Sequence, residues 1–135
     1  MAIPMIAYEN GLAAMDWLAR AFGFKETLRM LGEGGKLAQG AMDTGDGEVM
    51  VAQPSPAYES PRRHPESCAA ARRWLDVPYI IDGVLVHVDN VDLHYARAVA
   101  AGALILSEIE YGGPGRRYRV EDCEGHRWMF LQRKF

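Results

Sequence analysis

Cysteine is scarce in this chain. The 135 residues hold two, Cys68 and Cys123, far apart and in no CxxC or zinc-ligand spacing. That argues against a disulfide scaffold and against a cysteine-built zinc site. There is no excess of positive charge either. Fifteen Lys and Arg against 18 Asp and Glu leave a net charge of −3, which gives no reason to expect nucleic acid or an acidic membrane surface as a partner. No uninterrupted apolar run approaches a membrane span, so no membrane partner is expected. The opening MAIPMIAYEN lacks the basic start, long apolar segment and small-residue cleavage site of a signal peptide, so a cytoplasmic location is expected. The composition is that of an ordinary globular protein, 49% apolar and 24% charged, and the length suits one domain with a real core.

Local patterns give an order of elements. Ile3 to Glu9 reads as a short strand, broken at Asn10, a good helix N-cap. Met15, Leu18 and Phe22 recur at spacings of three and four, the apolar face of a helix from Leu12 to Phe22 that Gly23 closes. Three strands follow, at Phe24–Met30, Leu37–Met42 and Glu48–Gln53, joined by the turns GEGG and TGDG. Residues 54–82 carry five prolines and many charges and read as a linker, with a short helix expected over Glu66–Leu75. The order then repeats: strand Val84–Val88, helix Val91–Ala101 capped by Gly102, and strands Leu104–Ile109, Arg117–Glu121 and His126–Gln132. GEGG and GGPG lack the Lys and the following helix of a phosphate-cradling loop, and are hairpin turns.

The spacing shows an internal repeat. Gly23 lies thirteen residues after Asn10, and Gly102 twelve after Asn90. Asp43 lies 33 after Asn10, and Asp122 lies 32 after Asn90. The expected fold is α+β, a single domain over 1–135: a first βαβββ unit (1–53), the linker (54–82) and a second βαβββ unit (83–135). Each unit alone leaves a sheet face uncovered, so the two should combine.

Two tandem βαβββ units resemble the vicinal oxygen chelate superfamily, which includes glyoxalase I, bleomycin resistance proteins and extradiol dioxygenases. MDWLARAFGF (15–24) is similar to that family's first-helix pattern, VDNVDLHYARAVAAGA (88–103) to its second, and EDCEGHRWMF (121–130) to its Asp-Pro-x-Gly-x-x-W ending, with Cys123 where Pro is usual. The resemblance implies a cupped mixed sheet with the helices on its outer face, and a homodimer. In metal-binding members it implies one divalent ion held by His, Gln or Glu from the first and last strand of each unit. Counting from the helix starts and closing turns puts those positions at Ile3, Met50, Gly83 and Met129. None is a donor for a hard or borderline divalent ion, and a one-residue slip brings in Val51, Trp128 or Phe130, which are no better. No metal and no other cofactor is therefore expected.

The remaining candidates follow from the same frame. Met50 and Met129 form the groove floor, as ordinary packing or as an adaptable apolar ligand surface. His87 should face the groove by strand alternation, either as a packed or water-bonded cavity side chain or in contact with the ligand. Arg127 shares the side of Met129 and either meets a ligand carboxylate, pairs with Glu48, or is solvated. Trp74 and Tyr79 in the linker cover a groove mouth or anchor the linker. His94 and His64 are read as solvated, and His126 as bonded to turn backbone. Arg72–Arg73 and Arg116–Arg117 are read as solvated pairs. Cys123, flanked by two acids, is a poor nucleophile. The expected function is metal-free binding of an apolar or aromatic small molecule in the sheet groove. The alternatives are a glyoxalase-type lyase, isomerase or dioxygenase using a non-standard acid–base pair such as His87 with a groove carboxylate, and a partner-binding protein that has kept only the fold.

Overall fold

The computed structural model describes residues 1–76 and 83–133. Tyr79 and the end of the expected linker lie outside them. Two four-stranded sheets form. The first holds β1 (Met5–Ala7), β2 (Lys25–Leu31), β3 (Leu37–Asp43) and β4 (Glu48–Ala52) in the order β1-β4-β3-β2. The second holds β5 (Val84–His87), β6 (Leu104–Gly112), β7 (Gly115–Glu121) and β8 (Arg127–Arg133) in the order β5-β8-β7-β6. In each sheet the first strand runs parallel to the last, and the other neighbours are antiparallel. The tandem βαβββ reading is the observed fold.

The helices sit where the caps dictate. Asn10 Oδ1 accepts from the Ala13 amide at 3.1 Å and starts α1 (Gly11–Phe22). Asn90 Oδ1 accepts from the Leu93 amide at 3.1 Å and starts α3 (Val91–Ala100). Gly23 ends α1 in the left-handed region, φ 74°. A second cap had no counterpart in the sequence reading. Gln53, just past β4, accepts the Gly11 amide at 2.9 Å, and Gln132 on β8 accepts the Val91 amide at 2.8 Å. In each unit a glutamine at the end of the last strand thus satisfies an orphan donor of that unit's own helix.

The core lies on the helix side of both sheets. Ile6, Met42, Val49 and Val51 from the first sheet are buried, as are Val86, Tyr118, Val120, Trp128 and Phe130 from the second. Phe22 and Phe24 join the two halves, packing edge-on against Trp128 at 5.7 and 5.4 Å between ring centroids. Helices α1 and α3 pack against each other. Arg97 of α3 donates to the carbonyls of Arg20 and Ala19 at 2.8 and 3.1 Å, closing the C-terminal end of α1.

The segment after β4 is more ordered than a linker. Residues 64–66 form a 3-10 turn, α2 spans Ala69–Arg73, and a second 3-10 turn covers Trp74–Asp76. The helix expected over Glu66–Leu75 is therefore shorter and splits. Arg62 strings this segment to the closing turn, donating to Glu121 Oε1 at 3.2 Å, the Asp122 carbonyl at 2.7 Å and the Cys123 carbonyl at 3.2 Å. Gly125 is required at that junction. Its φ is 93°, and a Cβ there would stand 2.7 Å from the Arg62 amide nitrogen. Gly125→Ala is expected to cost about 1–3 kcal/mol, read by urea denaturation, and to speed proteolysis within residues 54–66.

Candidate functional site: the helix-free faces of the two sheets

Side chains at paired positions share a face, and successive residues alternate. The face of the first sheet turned away from the helices therefore carries Met5, Met50, Ala41 and Leu28 in one row and Gln39 with Met30 in the next. It is largely uncovered: Met5 is 78% exposed, Met30 50% and Leu28 37%. Gln39 Nε2 lies 3.8 Å from Met50 Sδ. The corresponding face of the second sheet carries Leu85, Met129, Arg119 and Ser107 in one row and His87, Leu131 and Arg117 in the next. Met50 and Met129 thus occupy matching places in the two units. The residues opposite them are Met5 and Leu85, two positions on from Ile3 and Gly83.

His87 lies on the helix-free side of β5. Its backbone amide and its ring Nδ1 both meet Asp46 Oδ2, at 3.0 and 2.9 Å. Asp46 belongs to the β3–β4 turn of the other unit. Donation from the His87 amide, and then from the ring, holds its carboxyl below the usual range despite partial burial. With Nδ1 donating, Nε2 is the lone-pair nitrogen of the neutral ring. Arg133 Nη2 stands 3.4 Å from the same Nδ1. These groups, with Gln132 and Asp89, line an open polar cleft of about 480 Å³.

Arg127 is 3% exposed. It pairs with Glu121, its register partner, at 3.3 Å, and donates to the Leu75 carbonyl at 3.3 Å. The pairing with Glu48 is replaced because Glu48 stands opposite Asp43 in the first sheet. Trp74, which follows α2, is 44% exposed.

The polar run 121–126 turns inward. Asp122 is 1% exposed. Its Oδ2 accepts from the Tyr8 hydroxyl at 2.5 Å and Trp128 Nε1 at 3.0 Å, and its Oδ1 from the Glu124 and His126 amides, each at 3.0 Å. Burial first, and then the adjoining carboxylate, drives the Tyr8 hydroxyl well above its ordinary pKa. Glu124 accepts the Glu9 and Asn10 amides at 2.6 and 2.9 Å. His126 bonds the Ala7 carbonyl on β1 at 2.6 Å, so its ring reaches the other unit, beyond its own turn. Burial, then Asp122 and Glu124, pushes the Cys123 thiol up to about 12, so it is no nucleophile.

Two histidines read as solvated part company. His64 keeps to the surface, 3.5 Å from Glu59. His94 is packed between the units, Nδ1 2.6 Å from the Tyr118 hydroxyl and Nε2 3.0 Å from the Phe22 carbonyl. Arg116 is tied to Asp92 by two bonds of 2.7 Å on the helix side, where Arg117 and Arg119 point the other way.

The chain matches the model of the Glyoxalase/Bleomycin resistance protein/Dioxygenase superfamily over residues 5–130. It belongs to that superfamily. Among solved structures, TioX from Micromonospora sp. ML1 is similar at a TM-score of 0.72 and 34% identity, over 100% of this chain and 97% of that one. TnmS3, an antibiotic binding protein from Streptomyces sp. CB03234, shares the fold at a TM-score of 0.61 and 14% identity, over 99% and 97% of the two chains. An uncharacterized protein of Mycobacterium bovis is 28% identical over 134 residues, 96% of this chain and 80% of its own length.

The superfamily's divalent ion can be tested against this site. The paired positions on the first and last strands hold Met5 with Met50 and Leu85 with Met129. Thioethers and an aliphatic side chain do not fit a hard or borderline cation. Among the described residues no group of three or more His, Cys, Asp or Glu side chains converges on a point that could hold one. No helix among them is long and apolar enough to cross a membrane.

Proposed function

We propose that this protein is a metal-free, homodimeric small-molecule-binding member of the superfamily, located in the cytoplasm, that takes an apolar or aromatic ligand between the helix-free sheet faces. One observation carries the reading. At two of the positions where the resemblance places hard donors this chain has Met50 and Met129, and Met50 lies in a largely uncovered apolar face with Met5, Leu28 and Met30. Flexible thioethers adapt to flat ligands without imposing one shape. Met129, His87 and Trp74 complete the proposed lining, with Arg127 held beneath it by Glu121. A face this apolar is costly to leave in water, and a second copy covers it. The antibiotic-binding relative TnmS3 is in keeping with this reading. Sedimentation should give a dimer, and a neutral polarity-sensitive dye should bind with unchanged affinity in EDTA. Met50→Asp should weaken that binding about tenfold or more by putting a charge in the apolar row. Binding or stability that collapses on chelation would overturn the reading.

A second reading draws on the Asp46–His87 pair. A carboxylate that orients an imidazole leaves a base facing the cleft, the arrangement an acid–base lyase or isomerase would use. Turnover of a hemithioacetal that survives EDTA and disappears in His87→Gln would establish it; no turnover by the wild-type protein would dismiss it for that substrate class.

A further inference from the structure

Charge is unevenly placed on the second sheet. The chain is acidic overall, at −3. Yet the helix-free face of this sheet carries four arginines, at 117, 119, 127 and 133, against Glu110 and Glu121 of its own strands and Asp46, which reaches in from the other unit to His87 beside Arg133. Arg127 and Glu121 neutralise each other as a buried pair. Arg117 is only loosely matched, 3.7 Å from Glu110, while its Nη1 donates to the Gly112 carbonyl at 3.0 Å. Arg119 stands on the same side two residues on, a separation of roughly 7 Å along the strand. Such a spacing lets two planar guanidinium forks approach one anionic group from both sides.

Polarity changes across the strands in an orderly way. One row runs from Leu85 through Met129 to Arg119 and Ser107. Neighbouring strands lie roughly 5 Å apart, so the apolar pair and the first arginine are one strand apart. A flat ring resting on Leu85 and Met129 thus has its edge at Arg119. The helix-free face of the first sheet, with Met5, Met50, Leu28 and Met30, offers nothing to solvate a charge, so an anionic group is matched by the arginine strand of the second sheet. We propose that the ligand is an aromatic acid, its ring on Leu85 and Met129 and its anionic group between Arg117 and Arg119. This rests on the groove reading above and narrows its ligand class from apolar to apolar and acidic.

The test compares 2-naphthoate with its methyl ester, which keeps the ring and removes the charge, by titration calorimetry on the full chain. The acid should bind about tenfold more tightly than the ester, and raising salt from about 50 to about 500 mM should erase most of that margin. Arg119→Gln and Arg117→Gln should each weaken the acid about tenfold and leave the ester unchanged. Arg119→Lys should restore part of the loss, and Arg116→Gln, on the opposite face, should change neither ligand. Equal affinity for acid and ester, or an acid indifferent to Arg119→Gln, overturns the acidic-ligand inference and leaves the apolar groove standing. Failure of both probes to bind overturns the groove reading and this inference with it.

Discussion

Asp122→Ala is expected to lower stability by about 4–6 kcal/mol, one of the largest losses any single substitution in this chain should produce. The carboxylate accepts four hydrogen bonds, from Tyr8, Trp128 and the amides of Glu124 and His126, at 2.5 to 3.0 Å. Removing it strands those donors where water enters poorly. A buried donor without a partner costs about 1–3 kcal/mol, and the losses are not additive because local relaxation is shared. Asp122→Asn keeps the shape and one oxygen but turns an NH₂ toward groups that already donate, so about half the loss is expected. Urea denaturation of both variants gives the check. A loss below about 2 kcal/mol for Asp122→Ala would mean that water replaces the carboxylate.

The second large effect is a pH dependence set by His94. The ring packs 4.0 Å from Phe130, with Nε2 donating to the Phe22 carbonyl, so Nδ1 accepts from the Tyr118 hydroxyl. Burial pushes its pKa down to about 4; the Phe22 carbonyl opposes that shift and Arg97 adds to it. In the unfolded chain an ordinary histidine takes up its proton near pH 6.5. As pH falls below that value the unfolded state binds a proton the folded state still refuses, so stability falls with pH. The loss ends near pH 4, where the folded state binds the proton too. Because the ring is partly open to solvent, the expected loss is about 1–2 kcal/mol between pH 7.5 and 5. His94→Gln should be less stable at pH 7.5 and show a flatter profile over that interval. Measuring the difference between the two proteins removes the carboxylate contributions. These include Glu9, held down to about 2 first by Arg63 and then by Ser60, whose stabilising effect is lost only as pH falls below about 4.5.

Much of the fold is legible in the sequence because its signals are local. Asn10 with Gly23, and Asn90 with Gly102, cap their helices from within one turn of chain, and the shared spacing of the two units exposes the repeat. Met5 and Leu85, two positions on from Ile3 and Gly83, are the residues that stand opposite Met50 and Met129. Other features were less open to reading because their partners are remote in sequence. Asp122 is only the aspartate of a repeated turn until Tyr8 arrives from 114 residues away. His94 did leave a trace: with Val91 and Ala98, both buried, it makes a three-then-four spacing, the inward face of α3. Gln53 and Gln132 left another, lying 43 and 42 residues after their helix-start asparagines, the same one-residue slip as the two turn aspartates.

The closing turn of the second unit holds the first strand of the first, and that has a consequence on the ribosome. Tyr8, Glu9, Asn10 and Ala7 find their partners at Asp122, Glu124 and His126. A strand made early is thus secured by a turn made 114 residues later. The first unit can emerge, form α1 and pair its four strands, but Ala7 to Asn10 find these partners only once residues 122–126 have followed. A protein translated only through β7 should therefore be a poor folder despite holding most of the core.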